Sequence, residues 1–257
     1  MNISIVGSGY VGLVTGIGFA ELGNKVIFVD IDKNKLDYIN AGKPPIFEPG
    51  LEELMRKNRD RYYGTEDYIE AILNSQVTFI CVGTPSNPDG SINLDYVVVA
   101  SEKIGEALKM KDDFHVVVIK STVTPGTTEE VVRPILEELS GKKAFIDFGL
   151  VMNPEFLREG SAVNDFFNPD RIVIGVKDDR SKEIMSKLYS HFSCPKLFVD
   201  IKTAEMIKYA SNALLATKIS FANTIANICQ YIPNCDVIKV LRGVGLDNRI
   251  CLLYTSP

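Results

Sequence analysis

Several absences narrow the field before any motif is read. The chain has five cysteines in 257 residues and none at metal-ligand spacing: Cys229 and Cys235 are six apart, and Cys81 lies in an apolar run. No metal site is expected, and the thiols read as reduced, with Cys81 a buried one. There is no basic surplus either. A formal charge of −5 argues against a nucleic-acid-binding face, while leaving room for a local basic pocket. No apolar run is long enough to span a bilayer, and Met1 leads straight into an apolar segment, so neither membrane insertion nor a signal peptide is expected. Internal repeats and low-complexity tracts are missing as well. What remains is a reduced, cytoplasmic globular chain, 46% hydrophobic and 24% charged, with length for one large or two modest domains.

What is present is concentrated at the start, MNISIVGSGYVG. Ile3, Ile5 and Val6 form a short apolar run suited to a buried parallel strand. Gly7, Gly9 and Gly12 follow as G-x-G-x-x-G, leading into a helix from Val11 to Leu22. Gly7 permits the tight turn, Gly9 lets backbone approach a pyrophosphate, and Gly12 lets helix pack on strand. The helix start offers free N–H groups to the anion. Three glycines alone would only mark a turn. A second apolar run, Lys25–Val29, ends at Asp30, eighteen residues past Gly12, where a carboxylate would accept hydrogen bonds from a ribose. The plainer alternative for Asp30 is a strand-end carboxylate. No Arg follows it, so the expected cofactor is NAD rather than NADP.

The chain then alternates. Helices are expected over 33–41, 51–57, 66–73, 95–109, 127–139 and 180–191, and strands over 61–64, 76–82, 114–119, 144–152, 171–176 and 197–199. Thr127 with Glu130 forms a capping-box pattern. Strands alternating with helices predict an α/β fold, a doubly wound parallel sheet of the Rossmann type, with ligands gathering beyond the strands' C-terminal ends. Gly7–Gly12, Asp30, Thr84-Pro85, Ser121-Thr122 and Asn153–Glu159 would then line one crevice. From Ile201 to about Tyr231 runs one long apolar helix of about 45 Å, stopped by Pro233. It reads as the connector into a second, α-helical domain and as a subunit contact. The expected organisation is 1–200, 201–250 and a non-native tail, 251–257.

Two clusters carry possible chemistry. If 155–159 turned helically, Glu155 and Glu159 would share a face at i,i+4; a solvated turn is the alternative from spacing alone. Lys208 and Asn212 stand one turn apart on the long helix, either lining a site or, for Lys208, paired with Glu205 at i,i+3. Ser121 and Thr122 either satisfy loop backbone or touch a ligand.

Taken together, VGSGYVG, FVDID, VGTP, KSTVTPGTT, NPEFLREGSAVNDFFNPDRIVIG, AEMIKYASNALLATKISFANTIANIC and GVGLDNRI resemble, in that order, the UDP-glucose 6-dehydrogenases and the related GDP-mannose and nucleotide-sugar 6-dehydrogenases. The resemblance runs from Met1 to about Ile250. It implies oxidation of UDP-glucose at C6 to UDP-glucuronate in two hydride transfers to NAD, with an aldehyde held on a cysteine as a thiohemiacetal and then hydrolysed from the thioester. GDP-mannose or a UDP-N-acetylhexosamine is the alternative substrate, and a non-catalytic NAD-binding module the alternative of another class. By the same resemblance Gly7, Gly9, Tyr10, Val11, Gly12, Asp30, Lys35, Thr84, Thr122 and Glu159 contact the cofactor. Glu155, Phe156, Leu157, Arg158, Glu159, Lys208, Asn212 and Arg249 hold the sugar nucleotide. Glu155 is the hydrolytic base, Lys208 and Asn212 stabilise the oxyanion, and Thr122 assists. A homodimer through the long helix is implied too.

The family's nucleophile lies in a glycine-rich G-G-S-C-F-P-K-D-like motif that is not found here. The final CLLYTSP does not resemble the family's continuation but does resemble a translated sequencing adapter. Cys251 is therefore not given the nucleophile's role. This chain by itself is expected to bind NAD weakly and to leave the reaction incomplete.

Overall fold

The computed structural model describes residues 1–247 and 250; Arg249, Cys251 and the expected 251–257 tail lie outside the described residues. Eight strands form one sheet: β1 (Asn2–Val6), β2 (Lys25–Val29), β3 (Tyr62–Thr65), β4 (Val77–Ile80), β5 (Val116–Ile119), β6 (Gly149–Met152), β7 (Ile172–Gly175) and β8 (Lys196–Val199). Their order is β3-β2-β1-β4-β5-β6-β7-β8. The chain winds outward from β1 to β3, returns beside β1 as β4, and winds outward again. This makes the β1/β4 junction the switch point where doubly wound sheets open a crevice. The central strands are short apolar runs such as VVVI in β5, buried at every position, as parallel strands covered on both faces must be.

The described helices are α1 (Tyr10–Glu21), α2 (Lys33–Asn40), α3 (Leu51–Lys57), α4 (Tyr68–Leu73), α5 (Asp95–Leu108), α6 (Arg133–Ser140), α7 (Ala162–Phe167), α8 (Asp179–Leu188), α9 (Ile201–Cys229) and α10 (Val237–Gly245). α1 is buried along Gly12–Ala20. Its Phe19 sits in an aromatic cluster, 5.4 Å from Phe79, 5.4 Å from Phe166 of α7 and 5.6 Å from Tyr189. By packing, the chain divides into residues 1–206 and 207–257, with α9 running through the division.

Several expectations change. The sheet is not wholly parallel, because β7 pairs antiparallel with β6, through Met152 and Gly175. Residues 153–171 do not cross a sheet face. Their α7 packs onto α1 through Phe166 and Phe19, and β7 meets β6 only where its last residue, Gly175, pairs with the last of β6, Met152. The strand expected over 144–152 is only Gly149–Met152. Upstream, Asp147 N–H donates to Lys143 O at 2.8 Å and its carboxylate accepts Lys143 N–H at 2.8 Å, which turns the chain. The helix expected from Thr127 opens as a π-helical turn, Thr128–Val132, before α6. Its capping box does not form, because Thr127 Oγ1 donates to Thr124 O at 2.7 Å and Glu130 pairs with Lys202. The capping carboxylate comes from Glu205 of α9, which accepts Gly126 N–H at 2.6 Å and Thr128 N–H at 2.8 Å. No helix among the described residues is long and apolar enough to cross a membrane.

Candidate active site

The glycine loop follows β1. Gly7 has φ +92°, and a Cβ there would sit 2.9 Å from Cys81 O and from Val82 N at the end of β4. A Cβ on Gly12 would sit 1.9 Å from Gly7 O, so α1 approaches the loop as only glycine permits. A Cβ on Gly9 would meet nothing within 4 Å. α1 carries no side-chain cap and no acidic residue in its first turn. Free amides, open space and a helix start together fit a dinucleotide's diphosphate.

Beyond β2, buried Asp30 faces this loop. Its Oδ2 accepts Ser8 N–H at 2.7 Å and Ser8 Oγ–H at 2.6 Å, and Oδ1 accepts Asp32 N–H at 3.0 Å. Burial opposes ionisation, but these bonds and the nearby charge of Lys35 outweigh it and hold the carboxyl below its usual range. Two oxygens offer about four lone-pair directions, so capacity for a ribose hydroxyl remains. Sequence reasoning missed that Asp30 also builds the loop, through Ser8.

Loops after β4 and β5 meet next. Thr84 Oγ1 donates to Thr122 O at 2.8 Å, while Ser121 Oγ donates to Val82 O at 2.7 Å, which gives Ser121 the backbone-satisfying role. Buried Cys81 has its thiol pushed up to about 12 by burial, so it is no ready nucleophile. His115 is buried too, and desolvation drives it down to about 3, leaving it neutral.

The segment after β6 is not helical. Residues 153–158 have no regular structure, so Glu155 and Glu159 do not stack at i,i+4. Glu155 instead accepts its own neighbour Leu157 N–H at 2.6 Å, a local turn that competes with helix. This segment borders a cavity of about 270 Å³, also lined by Lys120, Thr15, Arg171 and Tyr189. The Arg171 guanidinium lies 4.1 Å from the centre of the Phe156 ring. Asn153 organises the cavity floor: its Oδ1 accepts from Lys120 Nζ at 3.2 Å and Tyr189 O–H at 2.5 Å, and its Nδ2 donates to Val173 O at 2.8 Å. Lys120, only 7% exposed, was not singled out from the sequence. A lysine ending a run of buried strand residues was the signal available.

The far end of the segment is clamped by acids. Asp165 accepts Arg158 N–H at 3.0 Å and pairs with its guanidinium at 2.7 Å. Glu48, from the loop between α2 and α3, accepts Tyr10 O–H at 2.7 Å, Gly160 N–H at 2.9 Å and Ala162 N–H at 2.8 Å. Glu48 also escaped the sequence reading, since nothing near it marks a partner a hundred residues away.

The loops after β1, β2, β4, β5 and β6 all leave the same edge of the sheet, because those strands run parallel. Lys208 and Asn212 belong to the second unit, on α9. Lys208 is 5% exposed and Asn212 is exposed. Glu205, the alternative partner for Lys208, gives its two oxygens to the Gly126 and Thr128 amides. Among the described residues no cluster of His, Cys, Asp and Glu could hold a metal.

Comparison with known proteins agrees with this geometry. Residues 1–193 match the NAD binding domain of the UDP-glucose/GDP-mannose dehydrogenase family, and residues 202–257 match its central domain. A UDP-glucose 6-dehydrogenase of Haloferax volcanii is 48% identical over 97% of this chain and 59% of its own length. A GDP-mannose 6-dehydrogenase of Pseudomonas aeruginosa is 45% identical over 100% of this chain and 60% of its own. The crystal structure of a ternary complex of GDP-mannose dehydrogenase from that organism superposes with a TM-score of 0.95, at 43% identity over 97% of this chain and 57% of that one. The chain thus spans less than two thirds of the length of the relatives it matches. With a glycine loop and sheet edge shaped for a dinucleotide, and both domains matched, the chain belongs to the UDP-glucose/GDP-mannose dehydrogenase family and carries its NAD binding domain.

Proposed function

We propose that the whole gene product is an NAD-dependent nucleotide-sugar 6-dehydrogenase that oxidises UDP-glucose at C6 to UDP-glucuronate. The observation carrying this reading is that both the dinucleotide unit and the helical unit match one family. A bare NAD-binding module needs neither the NPEFLREG segment nor α9. Bound NAD supplies the hydride acceptor. The chain's own groups do the rest. The amides of Gly9, Tyr10 and Val11, with Gly7 and Gly12 clearing the way, hold the diphosphate. Asp30 takes a ribose hydroxyl, with Lys35 beside it. Thr84 and Thr122 border the cofactor's reactive half, with Glu159.

Residues Glu155 to Glu159, including Phe156, Leu157 and Arg158, hold the sugar. The Lys208 ammonium and the Asn212 amide stabilise negative charge developing on the C6 oxygen. A largely buried cation is worth most where water is excluded. Glu155, already oriented by Leu157 N–H, takes a proton from the hydrolytic water. Arg249 contributes to substrate binding. By the family resemblance the thiol for the second oxidation lies in a glycine-rich motif not found in this chain, and Cys81 is too buried and too basic to stand in for it. The exposed Leu214, Leu215, Ile219 and Phe221 support homodimerisation through α9, and the free thiols support a cytoplasmic setting.

The test is NADH formation by the full-length gene product offered UDP-glucose, GDP-mannose and UDP-N-acetylhexosamines in turn. UDP-glucose is expected to be preferred, and Lys208→Ala to lower the rate by about 10²- to 10⁴-fold. Turnover of GDP-mannose alone would favour the second reading, which relatives of that name at 45–47% identity support. No NADH with any of them would overturn both.

A further inference from the structure

We propose that Glu48 is a positioning residue that couples occupancy of the dinucleotide loop to the order of residues 158–163, because one buried carboxylate holds Tyr10 O–H, Gly160 N–H and Ala162 N–H together. Glu48 is 4% exposed, and among the described residues no lysine or arginine pairs with it. Its charge is met by dipoles: the Tyr10 phenol at 2.7 Å, Gly160 N–H at 2.9 Å and Ala162 N–H at 2.8 Å, with the Val163 amide beside them. Charge-assisted bonds of this kind are stronger than neutral ones, and a buried carboxylate cannot give them up cheaply.

The position of the clasp gives it consequence. Tyr10 is the first residue of α1, directly after Gly9, where the diphosphate is read to lie. Its hydroxyl also reaches Arg158 O at 2.9 Å. Glu159 is therefore flanked on one side by a carbonyl that Tyr10 holds and on the other by an amide that Glu48 holds. Ser161, at the start of α7, makes no side-chain cap, so Glu48 serves as that helix's cap from afar. Ordering Tyr10 with a ligand at the glycine loop thus orders both flanks of Glu159 before any sugar arrives. A second ligand that finds its segment already ordered loses less entropy on binding.

The inference rests on the dinucleotide reading, and the experiment separates the two. Hydrogen exchange of the 257-residue chain is followed by mass spectrometry with and without ADP-ribose, which lacks the nicotinamide. In the parent, ADP-ribose should protect residues 7–13, and should slow exchange over 158–163 by about fivefold or more, the lower end of ordinary coupling. In Glu48→Gln, whose amide sets an N–H against Gly160 N–H or leaves an acceptor short, protection of 7–13 should remain while the response at 158–163 disappears. Tyr10→Phe removes only the linking hydroxyl, leaves the carboxylate and its amide bonds in place, and should show the same uncoupling. A merely structural role for Glu48 would change exchange over 158–163 equally with and without ligand. An undiminished ligand response at 158–163 in Tyr10→Phe, or none in the parent despite protected 7–13, overturns the inference. No protection of 7–13 in the parent overturns the dinucleotide reading beneath it.

Discussion

The two halves of the candidate site are held by different means. The glycine loop is held mainly by its own backbone, since Gly7 turns with φ +92° and Gly12 admits Gly7 O, with Asp30 twenty-two residues away from Ser8 as its main outside support. The 153–162 segment has no regular structure until α7, and its shape comes from carboxylates: Glu155 within it, Asp165 just beyond it and Glu48 more than a hundred residues before Gly160. A site part built from glycines tolerates loss of a distant side chain. One built from carboxylates depends on each of them, and on their charge.

The sharpest way to break that contrast is Gly12→Ala. A methyl 1.9 Å from a backbone oxygen cannot be accommodated by a side-chain shift. We expect at least about 3 kcal/mol of destabilisation in thermal unfolding, at the upper end for overpacking. A melting temperature equal to the parent's would remove the backbone account of the loop.

Acid should act next. Asp30, Glu48 and Asp165 are all held below the ordinary carboxylate range, with burial opposing this for Asp30 and Glu48, and the Arg158 hydrogen bond the leading cause for Asp165. As pH falls the unfolded chain takes up these protons first. The stability they contribute is therefore full above about pH 4 and is lost as pH drops through the folded values. Urea midpoints should stay level in this respect from neutral pH and fall steeply below about pH 4. Hydrogen exchange over 158–163, which answers to two of the three carboxylates, should rise before exchange over 7–13. The reverse order would dissolve the contrast.

Gly9→Ala should separate binding from folding. Its φ of −70° suits any residue, and its Cβ would meet nothing. Stability should move by less than about 0.5 kcal/mol. NAD affinity, by titration, should fall by about tenfold or more, because the methyl takes the diphosphate's space. Unchanged affinity would put the ligand elsewhere.

Arg158→Ala is the smallest test. Its side chain is 73% exposed, and exposed ion pairs contribute about 1 kcal/mol or less. Asp165 would keep its bonds from Arg158 N–H and Ser161 Oγ. Unfolding by urea should show a loss within that bound. A loss of several kcal/mol would mean that the pair, and not the backbone bonds, closes the segment.

The sheet and the glycine loop were legible because their determinants are local. A run such as VVVI suits a fully buried strand, and Gly7, Gly9 and Gly12 mark the loop by spacing alone. Much of what was missed shares one cause, a partner distant in the chain. Thr127 and Glu130 have the pattern of a capping box, yet Glu205 takes the amides. For Glu155 and Glu159 the alternative of a turn is the one that forms, and its partner, Leu157 N–H, is local. Glu48 sits among prolines in a loop, and its partners at Tyr10, Gly160 and Ala162 leave no trace in its neighbourhood. The antiparallel β7 was hidden likewise, because its one pairing with β6 joins Gly175 to Met152 and nothing in either apolar run marks direction.

Glu205 has a practical bearing on where this protein can be divided. Shortening it at residue 193 or 200, where sequence similarity or strand content would suggest a clean cut, deletes the acid that seals the turn at Gly126 and Thr128. Such a piece, which at 200 keeps every strand and at 193 loses β8 as well, would fray beside Thr122. The smallest autonomous cofactor-binding fragment must reach into the first turn and a half of the helix that follows it.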